Sequence, residues 1–211
     1  MLVDDHAIFR EGLAFLLEQE PDFKVCGDFE GAADALKHIG ALKPALAIVD
    51  ISLEGMNGVE LCKLLRARFP ELRILVLSMH KEFLYAERVL RAGANGYIMK
   101  QEGRRKLVAA IRQVLKGETY VSDAVKELIL QNLGGRRTAG AASAVDQLSD
   151  RELEVFQLIG KGYGTRPMAD ALSVSIKTIE THREHIREKL NLKSTFELVQ
   201  YALEWAAQHR H

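Results

Sequence analysis

Three carboxylates, a hydroxyl and an ammonium stand at the ends of four short apolar runs in this sequence. Asp4 and Asp5 follow Met-Leu-Val, Asp50 follows Leu-Ala-Ile-Val, Ser78 follows Ile-Leu-Val-Leu, and Lys100 follows Tyr-Ile-Met. Singly, each has an ordinary account: a turn aspartate or helix cap, a strand-end hydroxyl, a surface charge. Together they would do more. Three close carboxylates repel one another and take up protons unless a cation neutralises them. A hard divalent ion with oxygen ligands and retained waters, Mg²⁺ above all, suits such a set. An ion beside Asp50 and the ammonium of Lys100 would neutralise the oxygens of an incoming phosphoryl group, and Ser78 could donate a hydrogen bond to one of them. Phosphoryl transfer needs mainly positioning and charge neutralisation, and a carboxylate is a competent nucleophile, so the set is chemically sufficient to phosphorylate Asp50.

Convergence requires that the runs be strands of one parallel sheet, whose carboxyl edge is where ligands of open α/β sheets bind. The run before Asp50 is apolar without alternation, the pattern of a strand buried on both faces. Further strands are expected over residues 1–3, 23–29, 72–77 and 97–99. Helices are expected over 6–19, with Ile8, Phe9, Leu13, Leu16 and Leu17 at helical spacing, and over 31–39, 57–68, 82–92 and 104–116. Asn57 with Glu60 starts the third helix in the manner of a capping box, and Pro70 stops it. Five alternations predict an α/β doubly wound five-stranded parallel sheet. Three residues are few for a central strand, so the first is expected to begin upstream of Met1, and an extended version to melt higher.

Beyond residue 117 the text changes. A helix is expected over 121–133, then a linker over 134–146 rich in Gly, Ala and Arg. The remainder reads as all helix. Ser149 with Glu152 and Ser194 with Glu197 are S-x-x-E starts. Between them, helices over 166–172 and 176–190 are joined by the turn Ser173-Val-Ser175, the spacing of a helix-turn-helix. Thr165 is the expected N-cap of the first, which puts Pro167 in a first turn that does not need its N–H. Val155, Leu158, Ile159, Ala169, Leu172, Val174, Ile179, Ile186 and Leu190 are its expected core. The other face of 176–190 carries Lys177, Thr178, Glu180, Thr181, Arg183, Glu184 and Arg187. Such a mixed face is ordinarily a solvated surface.

Bulk composition narrows the classes. The 211 residues carry no net charge, which excludes a broadly basic nucleic-acid coat. From residue 145 to 211, nine basic residues face ten acidic ones. No apolar run approaches a membrane span, and no signal peptide is evident. Cys26 and Cys62 have no CxxC or metal spacing and read as reduced thiols, so a cytoplasmic protein is expected. His38 and His80 receive no role.

The strings Leu-Val-Asp4-Asp5-His, Ile-Val-Asp50-Ile-Ser-Leu-Glu-Gly-Met-Asn-Gly58, Leu-Ser78 and Gly-Ala-Asn-Gly-Tyr97-Ile-Met-Lys100 resemble the receiver domain of bacterial two-component response regulators. That resemblance implies a flavodoxin-like strand order 2-1-3-4-5 and a phosphoryl group accepted by Asp50 from a sensor histidine kinase. It implies Mg²⁺ on Asp5, Asp50 and the main-chain carbonyl of Ser52, with Asp4 acting through water. Ser78 and Tyr97 fall at the switch positions: a phosphoryl group would draw Ser78 inward and Tyr97 would fill the vacated space. Lys100 falls at the lysine position, followed by Gln101 where many receivers have proline. Leu-Ser-Asp-Arg-Glu-Leu-Glu-Val from Leu148, Met-Ala-Asp-Ala-Leu172, Ser-Ile-Lys-Thr-Ile-Glu-Thr-His-Arg183 and Lys-Leu-Asn-Leu192 resemble the LuxR-type helix-turn-helix domain. Together they are similar to the NarL/FixJ class, with a receiver over 1–117, a connecting helix and linker over 118–146, and a four-helix DNA-binding domain over 147–208. The resemblance makes Lys177, Thr178, Thr181, Arg183, Arg187 and Lys193 the expected DNA contacts, with Lys193 and Ser194 holding phosphate at the last helix, and a homodimer the expected DNA-binding form. Two other readings compete. One is a phosphorylation-independent regulator with a vestigial pocket. The other is an Asp-nucleophile phosphohydrolase of the haloacid-dehalogenase type, which needs an acid two residues after the nucleophile, where Ser52 stands.

Overall fold

The computed structural model describes residues 1–79, 82–133 and 144–208, so His80 and most of the expected linker lie outside the described residues. The chain divides into two compact units, Met1–Arg136 and Arg137–His211. In the first, β1 (Leu2–Val3), α1 (Ala7–Glu18), β2 (Asp28–Phe29), α2 (Ala32–Leu42), β3 (Leu46–Asp50), α3 (Gly58–Arg68), β4 (Arg73–Ser78), α4 (Glu82–Arg91), β5 (Gly96–Met99) and α5 (Arg104–Leu115) alternate, followed by α6 (Asp123–Leu133). All five strands are parallel, in the order β2-β1-β3-β4-β5. This is the expected doubly wound sheet. The register pairs Val3 with Val49, Asp50 with Leu77, and Ser78 with Met99, so the residue that ends or follows each strand arrives at one edge.

β3 and β4 are buried almost throughout, as their unbroken apolar runs require. Leu13 and Leu17 of α1 and Leu107, Ala110, Ile111 and Val114 of α5 pack on Leu2, Ile48, Leu75, Leu77 and Ile98. Ile8 does not join them. It is 90% exposed, because the apolar face of α1 runs through Phe9, Leu13, Leu16 and Leu17 and leaves Ile8 outside. The expected strand over 23–29 shrinks to Asp28–Phe29, since β1 offers only Leu2 and Val3 as partners. Phe23 and Val25 instead pack half-buried against the core. α3 starts as expected, the Asn57 carboxamide oxygen accepting from the Glu60 amide at 2.9 Å. α2 runs past residue 39 to Leu42 and closes on Lys43 with φ +44°.

The second unit holds a 3-10 turn (Ala144–Gln147), α7 (Asp150–Gly160), α8 (Thr165–Ala171), α9 (Ile176–Lys189) and α10 (Thr195–Gln208). Ser149 and Glu152 form a complete capping box. Of the expected core, Val155, Ile159, Ala169, Ile179, Ile186 and Leu190 are buried, while Leu158, Leu172 and Val174 are half-buried. Phe156, Met168, Leu198, Ala202 and Trp205 complete it, with the rings of Phe156 and Trp205 edge-on at 5.5 Å. The cap of α8 is Gly164, not Thr165, which is itself the first helical residue. Pro167 nevertheless stays in the first turn: the first helical hydrogen bond runs from the Met168 amide to Gly164 O at 3.0 Å, and no bond is lost. At α10 the Ser194 hydroxyl accepts from the Glu197 amide, but the Glu197 carboxylate takes the amide of Lys193, one residue earlier than a capping box would have it.

α7 and α10 cross where Gly160 allows it. A Cβ there would lie 2.6 Å from Ala202 O and 3.0 Å from Ala206 Cβ. Gly160→Ala is expected to destabilise this unit by about 2 kcal/mol through overpacking. Trp205, the chain's single tryptophan, reports the unfolding of this unit in urea by its own fluorescence; an unmoved midpoint would show that the helices slide apart freely.

Candidate functional site

At the carboxyl edge of the sheet, Asp50 ends β3, Ser78 ends β4, Lys100 follows β5, and Asp4 and Asp5 follow β1. Asp4, Asp50 and Ser78 are buried. The ammonium of Lys100 donates to Asp50 Oδ2 at 2.7 Å, lies 2.7 Å from Asp4 Oδ2, and sits 4.6 Å from the centre of the Phe9 ring. Burial of a lysine is tolerable only with such pairing.

The carboxylate oxygens divide into two sets. The Oδ2 atoms of Asp4 and Asp50 face the ammonium. Asp4 Oδ1 accepts from the His6 amide at 3.0 Å, whereas Asp50 Oδ1 and Asp5 Oδ1 are buried without a hydrogen-bond partner. His6 Nδ1 lies 2.7 Å from Asp5 Oδ1, a contact without hydrogen-bond geometry, and 3.5 Å from Asp4 Oδ1. One ligand atom each from Asp4, Asp5, His6 and Asp50 can be chosen with all separations within 4.8 Å. Burial, above all, pushes the Asp50 carboxyl above the usual carboxylate range, with Asp4 and Asp5 adding to this and Lys100 opposing it. Asp5 is raised for the same leading reason, with His6 opposing. Oxygen donors of like charge, one of them, Asp50 Oδ1, buried and unpartnered, are what a hard divalent cation satisfies, and the residues present fit Mg²⁺.

The loop after Asp50 is held tightly. Ile51 O accepts from the amides of Leu53 at 3.0 Å and Gly58 at 2.8 Å, which seats the first turn of α3 against the Asp50 backbone. Ser52, whose carbonyl is the expected further ligand, is exposed in this loop. Tyr97 is fully buried, with Val76 of β4 as its register partner.

Three contributors escaped the sequence reading. Phe9 covers Lys100. His6 lines the carboxylates. Arg10 donates to Asp4 O and, at 3.2 Å, to Asp28 Oδ2, tying the acidic pair to the start of β2. The available signal was position: all three lie within the first turn and a half after Asp5, on a helix that starts at the pocket.

On α9, Lys177, Glu180, Thr181 and Glu184 are exposed, and Thr178, Arg183 and Arg187 are half-exposed. Several expected DNA contacts have partners within the unit. The Thr178 and Ser175 hydroxyls are 2.8 Å apart, Thr181 donates to Lys177 O at 3.0 Å, Arg183 donates to the Thr165 hydroxyl at 2.9 Å, and Arg187 pairs with Glu184. Lys193 is exposed, but the Glu197 carboxylate at its amide places negative charge where a phosphate was expected. Glu152 fastens α9 to α7 by accepting from Lys189 at 2.6 Å. Burial alone would raise its carboxyl; the bonds from Lys189 and Ser149 together hold it below the usual range.

Comparison with known proteins bears on both units. Residues 1–112 match the family described as response regulator receiver domain, and residues 146–202 the bacterial regulatory proteins of the luxR family. The chain is 38% identical over 207 residues to the oxygen regulatory protein NreC of Staphylococcus aureus, covering 96% of this chain and 95% of that protein. Among solved structures, RcsB from Salmonella enterica serovar Typhimurium, bound to promoter rprA in the presence of phosphomimetic BeF₃⁻, aligns with TM-score 0.62 at 27% identity, covering 95% of this chain and 96% of that one. A LuxR-family two-component response regulator from Aurantimonas sp. SI85-9A1 aligns with TM-score 0.59 at 32% identity, covering 64% of this chain and 96% of that one.

Proposed function

Because this chain belongs to the response regulators that join a receiver domain to a LuxR-type DNA-binding domain, we propose that Asp50 accepts a phosphoryl group from a sensor histidine kinase and that this controls DNA binding and transcription. Its relatives are transcription regulators, which sets aside the phosphohydrolase reading. The observation that carries the proposal is the division of oxygens at the pocket: Asp50 turns Oδ2 to Lys100 and leaves Oδ1 buried and unpartnered.

Each residue then has a part. A carboxylate oxygen of Asp50 attacks phosphorus as the P–N bond to the kinase's phosphohistidine breaks and the imidazole leaves, and Asp4, Asp5, Asp50 and the Ser52 carbonyl would hold Mg²⁺. Bound there, the ion would supply positive charge to the phosphoryl oxygens. Lys100 supplies charge from the opposite side, held in place by Phe9, and the Ser78 hydroxyl donates to a phosphoryl oxygen. The phosphoryl group draws Ser78 inward and Tyr97 takes the space it vacates, so the phosphorylated form favours one state by its contacts there. On the DNA side, Lys177, Thr178, Thr181, Arg183, Arg187 and Lys193 are the proposed contacts. A second unit with no excess of positive charge binds one half-site weakly, so two units joined in a dimer are the proposed DNA-binding form. No helix among the described residues is long and apolar enough to cross a membrane, and we place the protein in the cytoplasm with its kinase and DNA.

Incubation with acetyl phosphate and Mg²⁺, followed by intact mass measurement, tests this directly. The wild-type chain is expected to gain one phosphoryl group that hydroxylamine removes, and Asp50→Asn none. An equal gain by Asp50→Asn would sink the assignment.

A further inference from the structure

We propose that His6 makes the pocket a site for a borderline divalent transition ion, of the Zn²⁺ or Co²⁺ class, in addition to Mg²⁺. The inference rests on the reading that the pocket holds a divalent cation, and it adds a ligand and a selectivity to that reading.

Two cation positions are separated by oxygen atoms. Lys100 occupies the Oδ2 side of Asp4 and Asp50. The other oxygen of Asp50, Oδ1, on a residue only 2% exposed, has no hydrogen-bond partner, and one ligand atom each from Asp4, Asp5, His6 and Asp50 lie within 4.8 Å of one another. Ligands about 2.1 Å from one ion stand about 3.0–3.4 Å apart when they are neighbours in octahedral or tetrahedral geometry. His6 Nδ1 is 2.7 Å from Asp5 Oδ1 and 3.5 Å from Asp4 Oδ1, values that bracket this separation. His6 occupies the N-cap position of α1 but makes no side-chain cap bond, so its ring serves no helix end. Its side chain is 66% exposed, leaving an entry path.

The chemistry of the donors sets the selectivity. An all-oxygen site suits Mg²⁺, whereas an imidazole nitrogen beside carboxylates favours Zn²⁺, Co²⁺ and their neighbours in the first transition row. The competing account makes His6 an imidazolium paired with two aspartates at the surface, a contact of little worth. The two accounts part on a charged replacement: His6→Lys preserves the ion pair and removes the ligand.

Calorimetric titrations of the full chain with MgCl₂ and with ZnCl₂, and Co²⁺ absorption spectra, separate them. The chain has seven histidines, so only Zn²⁺ or Co²⁺ binding that excess Mg²⁺ displaces and Asp5→Asn abolishes is scored. His6→Ala is expected to weaken that binding by about tenfold or more while changing Mg²⁺ affinity by less than about twofold, and His6→Lys to weaken Zn²⁺ and Co²⁺ binding by more than it weakens Mg²⁺ binding. Unchanged Zn²⁺ and Co²⁺ affinity in both variants, or an equal loss for all three ions, would overturn the proposal while leaving the Mg²⁺ pocket standing. Absence of Mg²⁺ binding in the wild-type chain would instead overturn the reading beneath it.

Discussion

Gly58→Ala is expected to cost the receiver unit about 3 kcal/mol or more, far above a typical surface change. An added Cβ would stand 1.9 Å from Asp50 O, 2.8 Å from Asp50 C and 2.8 Å from Ile51 Cα. All three are backbone atoms, so no rotamer change relieves the contact. Either the first turn of α3 withdraws, breaking the bond from the Gly58 amide to Ile51 O and disturbing the Asn57 cap, or Asp50 moves and takes its carboxylate with it. Both routes reach the pocket, so Mg²⁺ affinity is expected to fall along with the unfolding midpoint. Gly12→Ala is the control: nothing lies within 4 Å of its Cβ, and in the interior of α1 it is expected to stabilise by about 0.5–1 kcal/mol. Urea unfolding followed by circular dichroism measures both. A Gly58→Ala midpoint within error of wild type would show that the close approach of α3 to β3 is not a constraint.

Lys100→Met is the second large effect. It keeps the length of the side chain and removes the charge, leaving the carboxylates of Asp4 and Asp50 buried and facing one another. Breaking a buried pair from one side costs about 3–5 kcal/mol because the remaining charge has no partner. A divalent ion on the Oδ1 side can neutralise part of that charge, so Mg²⁺ should raise the melting temperature of Lys100→Met more than that of the wild type. Adding Asp50→Asn to Lys100→Met should recover part of the loss. The sign with pH follows from Asp50, whose carboxyl is raised by burial. It takes up its proton in the folded state at a pH where the unfolded chain is still ionised, so lowering the pH favours folding through this group. The deficit of Lys100→Met is therefore expected to shrink between neutral and mildly acidic pH. Thermal melts in EDTA and in Mg²⁺ across that range check it, and a deficit that ignores both metal and pH would place the role of Lys100 in packing alone.

The sequence by itself determined the sheet, its polar edge and most helix starts. An apolar run that stops at a polar residue marks a strand leaving the core, which is why Asp50, Ser78 and Lys100 were legible as one set before any geometry was known. Caps such as Asn57–Glu60 and Ser149–Glu152 were legible because they act within one turn of chain. Only the tertiary structure decided what depends on partners remote in sequence. β2 is two residues long because β1 offers two, and Ile8 faces out because the sheet lies under Phe9 and Leu13. The Thr165 hydroxyl, expected to cap α8, instead holds Arg183 of α9. The same holds at the pocket. The residue types there are written in the sequence, but which oxygen of Asp4 and of Asp50 turns to Lys100, and which oxygen of Asp50 is left buried without a partner, follows from the register of β1, β3, β4 and β5 together. An aspartate offers two equivalent oxygens, and only their surroundings in space make them different.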